Sequence, residues 1–534
     1  MAESTILHGI GVGAGLAAGP AYRTAPPPAL PPPVPVTDPE VETARAVAAL
    51  SAVAADLNRR AETGTGAVAE ILRAQVMMAE DPELAAAVAA EIEAGADAAH
   101  AITAALAIHR QAFEAAGGYL AERVADLDDI RDRAVAACLG RPMPGIPSPD
   151  QPFVLVARDL APADTATLDP RHVLALVTEE GGPTSHTAIL ARALGLPAVV
   201  RCAGALDIAD GTLVTVDGST GDVAIGVDAD AVEAARDAEA RRRHRAGSEH
   251  GPGRTKDGHP VALYANIGSV KDLHGEVEGV GLFRTELLYL DRADPPSKEE
   301  QIDAYAEVFT ALPGRKVIVR TLDAGADKPL PFLHLSGEPN PALGIRGLRV
   351  AWRRPEVLRT QLEAIAQAAR TTAAEVWVMA PMVATAAEAA GFVAACREAG
   401  LPVAGAMVEI PAAALRASSL MSTVDFLSIG TNDLSQYTFA ADRQCGELAE
   451  LLDPWQPALL ELIAGCTAAG RAAGKPVGVC GEAAADPQLA LVLTGLGVTS
   501  LSMAPRAVPE VRAALAAHTL ADCQELARAA LLGT

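Results

Sequence analysis

The segments VALYANI (261–267), GVGLFRTE (279–286), KVIVRTLD (316–323), EVWVMAPMV (375–383), PVAGAMVE (402–409), DFLSIGTND (425–433), PVGVCGE (476–482) and TSLSMAP (499–505) decide the fold. Each is a short apolar run, and most are followed by a stretch of helical periodicity, as in AEAAGFVAACREAG (387–400). Strands alternating with helices predict a parallel sheet. Eight such units between residues 255 and 534 predict a closed (β/α)8 TIM barrel rather than an open doubly wound sheet.

Chemistry in such a barrel sits at the carboxyl ends of the strands. Those ends hold Arg284 and Glu286, Arg320 and Asp323, Met382, Glu409, Asn432 and Asp433, then Cys480 and Glu482. Arg346 and Arg443 fall in the loops after the third and sixth strands. Guanidinium forks grip phosphate and carboxylate bidentately, so the cluster suits a small anion. Glu409 and Asp433 are expected to face each other across the rim, a pair that suits a hard divalent ion such as Mg²⁺. Ordinary ion pairing would not gather these residues at one end of five strands.

Composition sharpens that reading. The chain has 43 basic and 67 acidic residues, a net charge of −24 with histidine neutral. A field of that sign argues against a nucleic-acid partner, and 3 Trp, 6 Tyr and 8 Phe offer few platforms for stacking bases. An anionic substrate must therefore be held by a local cationic site. The opening MAESTILHGIGVG has neither a basic nor an apolar leader region, so no signal peptide is expected. No stretch approaches the ~20 apolar residues of a membrane helix. The seven cysteines (138, 202, 396, 445, 466, 480, 523) are scattered and none are spaced as CxxC, which indicates neither a disulfide framework nor a zinc ribbon. A cytoplasmic protein with reduced thiols is expected.

Working back from the barrel, residues 228–254 read as a charged linker helix carrying the run RRRHRAG (241–247). PFVLVA (152–157), VLALVT (173–178), PAVV (197–200) and LVTVDG (213–218) read as strands of a small α/β domain formed by residues 1–36 and 141–227, to which Ile6–Arg23 adds a further strand. Residues 37–140 are alanine, leucine and glutamate at helical spacing, an inserted bundle of four or so antiparallel helices. Its helix starts are expected at Asp38-Pro39, Asp81-Pro82 and Asp126.

The small α/β domain contains GGPTSHTAILARALGLP (181–197). Its Gly-Gly-Pro turn delivers Thr184, Ser185 and His186 to the start of an apolar helix. The positive end of a helix dipole disfavours imidazolium and favours anions. A neutral, nucleophilic His186 could then carry a phosphoryl group, with the hydroxyls of Thr184 and Thr187 on its oxygens. No other of the chain's 11 histidines has this setting.

The motif GGPTSHTAILAR resembles the phosphohistidine motif of the phosphoenolpyruvate-utilising enzymes. GVGLFRTELLYLDR (279–292), VRTLDAGADK (319–328), NPALGIRGLR (340–349), AMVEIPAA (406–413), SIGTNDLSQYTFAADR (428–443) and GVCGEAAAD (478–486) resemble their phosphoenolpyruvate-binding set. Motif order and chain size are similar to the enzyme I branch of the bacterial phosphoenolpyruvate:sugar phosphotransferase system. The resemblance implies that His186 is phosphorylated from phosphoenolpyruvate and passes the group to the carrier protein HPr, releasing pyruvate. It makes Arg284, Arg320, Arg443, Asn432 and Asp433 substrate-binding residues, Glu409 and Asp433 Mg²⁺ ligands, and Cys480 the acid that protonates enolpyruvate at carbon. Arg346 and Lys328 match further basic positions of the substrate mouth. It also implies HPr docking on the helical insertion, dimerisation through the barrel and a swivelling of the two halves.

The sequence departs from the family pattern at four places. Gln75 stands where His is common, Gly347 where Ala is usual, Gln444-Cys445 follow Arg443, and the opening GVGAGLAAGPA lacks Ser-Pro-Gly. Pyruvate phosphate dikinase and phosphoenolpyruvate synthase share the motifs but need an ATP-binding domain, for which no glycine-rich phosphate loop with lysine is present. A non-catalytic scaffold would have lost His186, an arginine or a carboxylate. A barrel lyase without phosphohistidine would not carry GGPTSHT.

Overall fold

The computed structural model describes Thr5 to Gly533 except residues 14, 25–27, 64–66, 117–123, 142–144, 148, 161–167, 183–186, 189–190, 192–193, 290–291, 293, 326–329, 334–337, 339 and 443–445. His186, Thr184, Lys328 and Arg443 lie outside the described residues. The chain divides into two compact units, Met1–Glu239 and Ala240–Thr534.

In the first unit, strands β1 (Thr5–His8), β2 (Ile10–Val12), β3 (Leu16–Arg23), β4 (Phe153–Ala157), β5 (Val173–Thr178), β6 (Ala198–Val200), β7 (Leu213–Asp217) and β8 (Asp222–Ile225) form one mixed sheet. Its order is β1-β8-β7-β3-β4-β5-β6-β2. β4 is buried along its whole length because alternate residues fill separate cores. Phe153, Leu155 and Ala157 join one, Val154 and Val156 the other, as strand alternation requires when both faces are covered.

Between the parallel neighbours β3 and β4 the chain makes a helical excursion. Five described helices compose it: α1 (Pro39–Thr63), α2 (Ala67–Ala79), α3 (Pro82–Glu93), α4 (Ala98–Ala116) and α5 (Val124–Cys138), one more than the four or so expected. Small residues repeat at helical spacing, so α1 buries Ala46, Ala49, Leu50, Val53, Ala54, Leu57 and Ala61 along one stripe. Asp81 caps α3 as anticipated, accepting from the Glu83 N–H at 2.8 Å. Asp126 is not a cap. It lies inside the first turn of α5, 3% exposed, and accepts from Gln75 Nε2 at 2.9 Å. Gln75 is itself fully buried, so this departure from the family pattern belongs to the bundle core and not to its surface.

Helix α6 (Ala229–Ser248) runs across the division between the units. The second unit is the predicted barrel. β9 (Ala262–Ile267), β10 (Gly279–Arg284), β11 (Lys316–Arg320), β12 (Glu375–Ala380), β13 (Ala404–Val408), β14 (Leu427–Ile429), β15 (Val477–Val479) and β16 (Ser500–Met503) are all parallel, and β16 pairs with β9 to close the ring. Val317 and Val319 face the surrounding helices while Ile318 faces the barrel axis, where it meets Leu282, Met379, Met407, Phe426 and Cys480. Outside, α7 (Lys298–Thr310) packs beside α8 (Pro355–Arg370). The sequence SKEE starts α7 through a reciprocal cap: Ser297 Oγ accepts from Glu300 N at 3.1 Å, and Glu300 Oε2 accepts from Ser297 N at 2.7 Å.

Candidate active site

The two-residue strand period explains why the charged residues converge. Arg284, Arg320 and Glu409 each stand two positions beyond an axial apolar residue, namely Leu282, Ile318 and Met407. Each therefore projects inward at the carboxyl end of β10, β11 or β13, where the apolar filling stops. Cys480 follows β15 directly and belongs to the same axial cluster. Asn432 and Asp433 come from the first turn of the helix Thr431–Phe439, which follows β14 after a single glycine.

Arg320 is the hub. Its guanidinium lies 3.1 Å from Glu286, 3.2 Å from Asp323 and 3.7 Å from Glu409. Burial alone would lower its pKa, but the three carboxylates outweigh burial and raise it above the ordinary arginine value. Arg346 grips Asp323 with two bonds of 3.2 Å and approaches Asp433 Oδ1 at 3.2 Å. It is 1% exposed. Arg346, which the sequence reading matched to a basic position of the substrate mouth, holds these two carboxylates in the structure. Asp323, which the sequence placed at the mouth without a role, is shared by both guanidiniums. Arg284 is exposed at the end of β10, and crowding by the surrounding protein, then repulsion from Arg320, lowers its pKa from the ordinary arginine value.

Glu409 is almost fully buried, and its Oε2 accepts from the Met382 N–H at 2.8 Å. Burial first, then repulsion from Asp323 and Asp433, pushes its carboxyl up to about 8 against the opposing pull of Arg320. Cys480 is 3% exposed and its thiol is pushed up to about 11, mainly by burial and further by Glu409. Ser428, Arg320 and Arg284 act in the other direction without overcoming burial. The thiol is therefore protonated at neutral pH. Asn432 Oδ1 accepts from Glu482 N at 3.2 Å, tying the sixth strand's loop to the seventh's. Two glycines allow these loops to meet. A Cβ on Gly481 would lie 1.9 Å from Thr431 Oγ1, and one on Gly430 would lie 2.9 Å from Glu409 Cγ.

Gly347, a departure from the family pattern, has a physical reason. Its φ is +59°, and a Cβ there would meet Met382 Cγ at 2.9 Å. Gly347→Ala is expected to cost about 1–3 kcal/mol through backbone strain. Thermal denaturation checks this, and an unchanged Tm would refute it.

Near the phosphohistidine motif, Thr187 is fully buried and its hydroxyl donates to Asp159 Oδ1 at 2.7 Å. The proton expected to serve a phosphoryl oxygen is engaged there. Among the described residues no group of three or more His, Cys, Asp or Glu is arranged to hold a metal by itself.

A parallel barrel with interior arginines, buried carboxylates and a protonated cysteine at its mouth defines an α/β-barrel enzyme for a small anionic substrate. Residues 242–520 match the phosphoenolpyruvate-binding domain of the PEP-utilising enzymes, residues 149–221 their mobile domain and residues 8–123 their N-terminal domain. The chain belongs to the phosphoenolpyruvate-utilising enzymes. A protein of Streptomyces coelicolor named phosphoenolpyruvate-protein phosphotransferase is 56% identical, and the match covers 98% of this chain and 96% of that protein. Proteins of the same name from Haloferax volcanii (42% identical, covering 87% and 84%) and Bacillus subtilis (37% identical, covering 95% and 93%) are also similar.

Proposed function

We propose that this chain is a phosphoenolpyruvate-protein phosphotransferase that loads its own His186 from phosphoenolpyruvate, passes the phosphoryl group to the carrier HPr and releases pyruvate, the first step of phosphotransferase sugar uptake. The observation that carries the reading is the inward projection of Arg284 and Arg320 beside a protonated Cys480 in an otherwise acidic chain. Arg284 and Arg320, with Arg443 and Asn432, hold the phosphate and carboxylate of the substrate. Arg320 Nε is buried and has no hydrogen-bond partner among the described residues. An imidazole nitrogen of His186 attacks phosphorus in line, the N–P bond forms, and the bond from phosphorus to the enol oxygen breaks. Cys480 gives its proton to the terminal carbon of enolpyruvate, yielding pyruvate, and the thiolate regains a proton from solvent. Phosphoryl transfer needs mainly positioning and charge neutralisation, which the arginines supply.

Glu409 and Asp433 fit Mg²⁺. They are hard oxygen donors, and the mutual repulsion that raises Glu409 is what a cation would relieve. The missing ligands suit substrate oxygens and water, the usual complement of this ion. When bound, Mg²⁺ would neutralise charge on the transferring phosphoryl group.

The helical excursion is the docking element for HPr in this reading. Met77, at 75% exposure, and Ile108, at 56%, are apolar side chains a partner would cover. In the barrel unit Leu343, Trp352, Leu451 and Trp455 are likewise exposed, which supports a homodimer through that unit. A cytoplasmic site of action suits the six described cysteines, all free and buried. No helix among the described residues is long and apolar enough to cross a membrane.

Incubation with phosphoenolpyruvate and Mg²⁺ tests the reading. An acid-labile phosphoryl group should appear on His186, pyruvate should be released, and added HPr should take up the label. His186→Ala should abolish labelling while leaving phosphoenolpyruvate binding. Labelling that required ATP, or that survived His186→Ala, would overturn the assignment.

A further inference from the structure

Gln361 lies near the middle of α8, on the outer layer of the barrel, and is fully buried. A buried amide is costly unless its polar atoms find partners. Here both atoms do. Oε1 accepts from the Leu322 N–H at 2.9 Å, and Nε2 donates to Thr285 Oγ1 at 3.1 Å and to Tyr305 Oη at 3.1 Å. The Leu322 N–H can only donate, so the amide has one orientation. Thr285 Oγ1 in turn donates to the Arg320 carbonyl at 3.0 Å.

The positions of these partners matter. Thr285 sits between Arg284 and Glu286 at the end of β10, and Leu322 sits between Arg320 and Asp323 beyond β11. One side chain thus clasps the two strand ends that carry both described arginines of the mouth and two of its carboxylates. The Asp323 N–H donates to Glu286 Oε1 at 2.9 Å, a second link between the same strand ends. Behind Gln361 the network continues into α7: Tyr305 Oη reaches Gln301 Oε1 at 3.5 Å, and that oxygen also accepts from Tyr289 Oη at 2.9 Å. A fully connected buried polar network of this kind rigidifies what it touches.

We propose that Gln361 is a positioning residue for the reaction: it fixes the spacing of Arg284 and Arg320 by tying the ends of β10 and β11 together from outside the barrel. The proposal rests on the reading that these two arginines bind phosphoenolpyruvate. Gln361→Met keeps the volume and removes every bond. Gln361→Glu keeps an acceptor for the Leu322 N–H but loses donation to Thr285 until it is protonated. Tyr289→Phe removes a buried hydrogen bond at the far end of the network and serves as the comparison for stability alone.

The test measures labelling of the full-length protein by phosphoenolpyruvate under single-turnover conditions, per titrated active site, alongside Tm. Misplacement of reacting groups by about 1 Å is worth on the order of 10²-fold in rate. Gln361→Met should therefore lower the second-order rate constant by about that factor and raise the half-saturating phosphoenolpyruvate concentration. Gln361→Glu should show a deficit that shrinks as pH falls, and Tyr289→Phe should lose Tm with no change in rate constant. If Gln361→Met does not accumulate as folded protein, Gln361→Glu decides by the same measure. Unchanged rate constants in both Gln361 variants, with normal labelling of the parent protein, would overturn the positioning role alone. Failure of the parent protein to label would overturn the reading of the mouth and the positioning role together.

Discussion

Arg320→Met is expected to lower kcat/KM for phosphoenolpyruvate by about 10²–10³, the effect of removing one preorganised donor from a transition-state site. It should also destabilise the barrel by about 3–5 kcal/mol, because removing one partner of a buried ion cluster leaves the others uncompensated. Here the others are Glu286, Asp323 and Glu409 around a side chain only 9% exposed. The pH dependence has a definite sign. Glu409 holds its proton up to about 8 even with Arg320 opposing, so loss of Arg320 raises it further. A group whose folded pKa is raised contributes stability below its unfolded value and loses that contribution as pH rises through the folded value. The stability deficit of Arg320→Met should therefore be smaller at pH 5 than at pH 9. Denaturant unfolding at the two pH values, together with steady-state kinetics, checks both parts. A wild-type kcat/KM would remove Arg320 from the substrate site.

Cys480→Ser is expected to separate two events that the parent protein couples. A serine hydroxyl is a far weaker acid than a thiol, so protonation of enolpyruvate at carbon should slow by about 10²–10⁴, the usual worth of a positioned general acid. Label should still reach His186 in the first turnover, since the arginines are intact, and the reverse reaction from pyruvate should suffer equally. A thiol with its pKa near 11 also has a chemical signature. Its thiolate fraction at pH 8 is on the order of 10⁻³, so alkylation of Cys480 by iodoacetamide should be slow there and accelerate towards pH 11. Rapid alkylation at pH 8 would show that the thiol is not held above its ordinary range, and a serine variant with full pyruvate turnover would exclude the acid role.

The barrel was readable in advance because each strand is a short apolar run bounded by polar ends, and because a parallel strand is covered on both faces. The same alternation made Arg284, Arg320, Glu409 and Cys480 readable as one group. What escaped was the second side of each charge. Arg346 was read as a basic position of the mouth, and its 1% exposure and bonds to Asp323 and Asp433, which support those carboxylates, were not legible in the sequence. Gln361 sits in PEVLRTQLEAIAQAAR, where a glutamine reads as one more polar position on an amphipathic helix. Its partners Thr285 and Leu322 come from other elements, and no local pattern announces them. Asp126 misled for a related reason: a carboxylate ahead of an apolar run looks like a cap, and only the buried Gln75 explains its interior place.

The mixed sheet of the first unit has a consequence for how the chain is made. β1 pairs with β8, joining Thr5 to Ile225, and β3 pairs with β7, joining Leu16 to Asp217. On the ribosome the first strands therefore emerge long before their antiparallel partners. At about 5–20 residues per second the wait is on the order of 10–40 s. The helices from Pro39 to Cys138 contact mostly one another and can fold during that interval. The nascent chain thus passes through a stage with a finished bundle and unpaired strands, the stage at which chaperone capture or premature self-association would act on it.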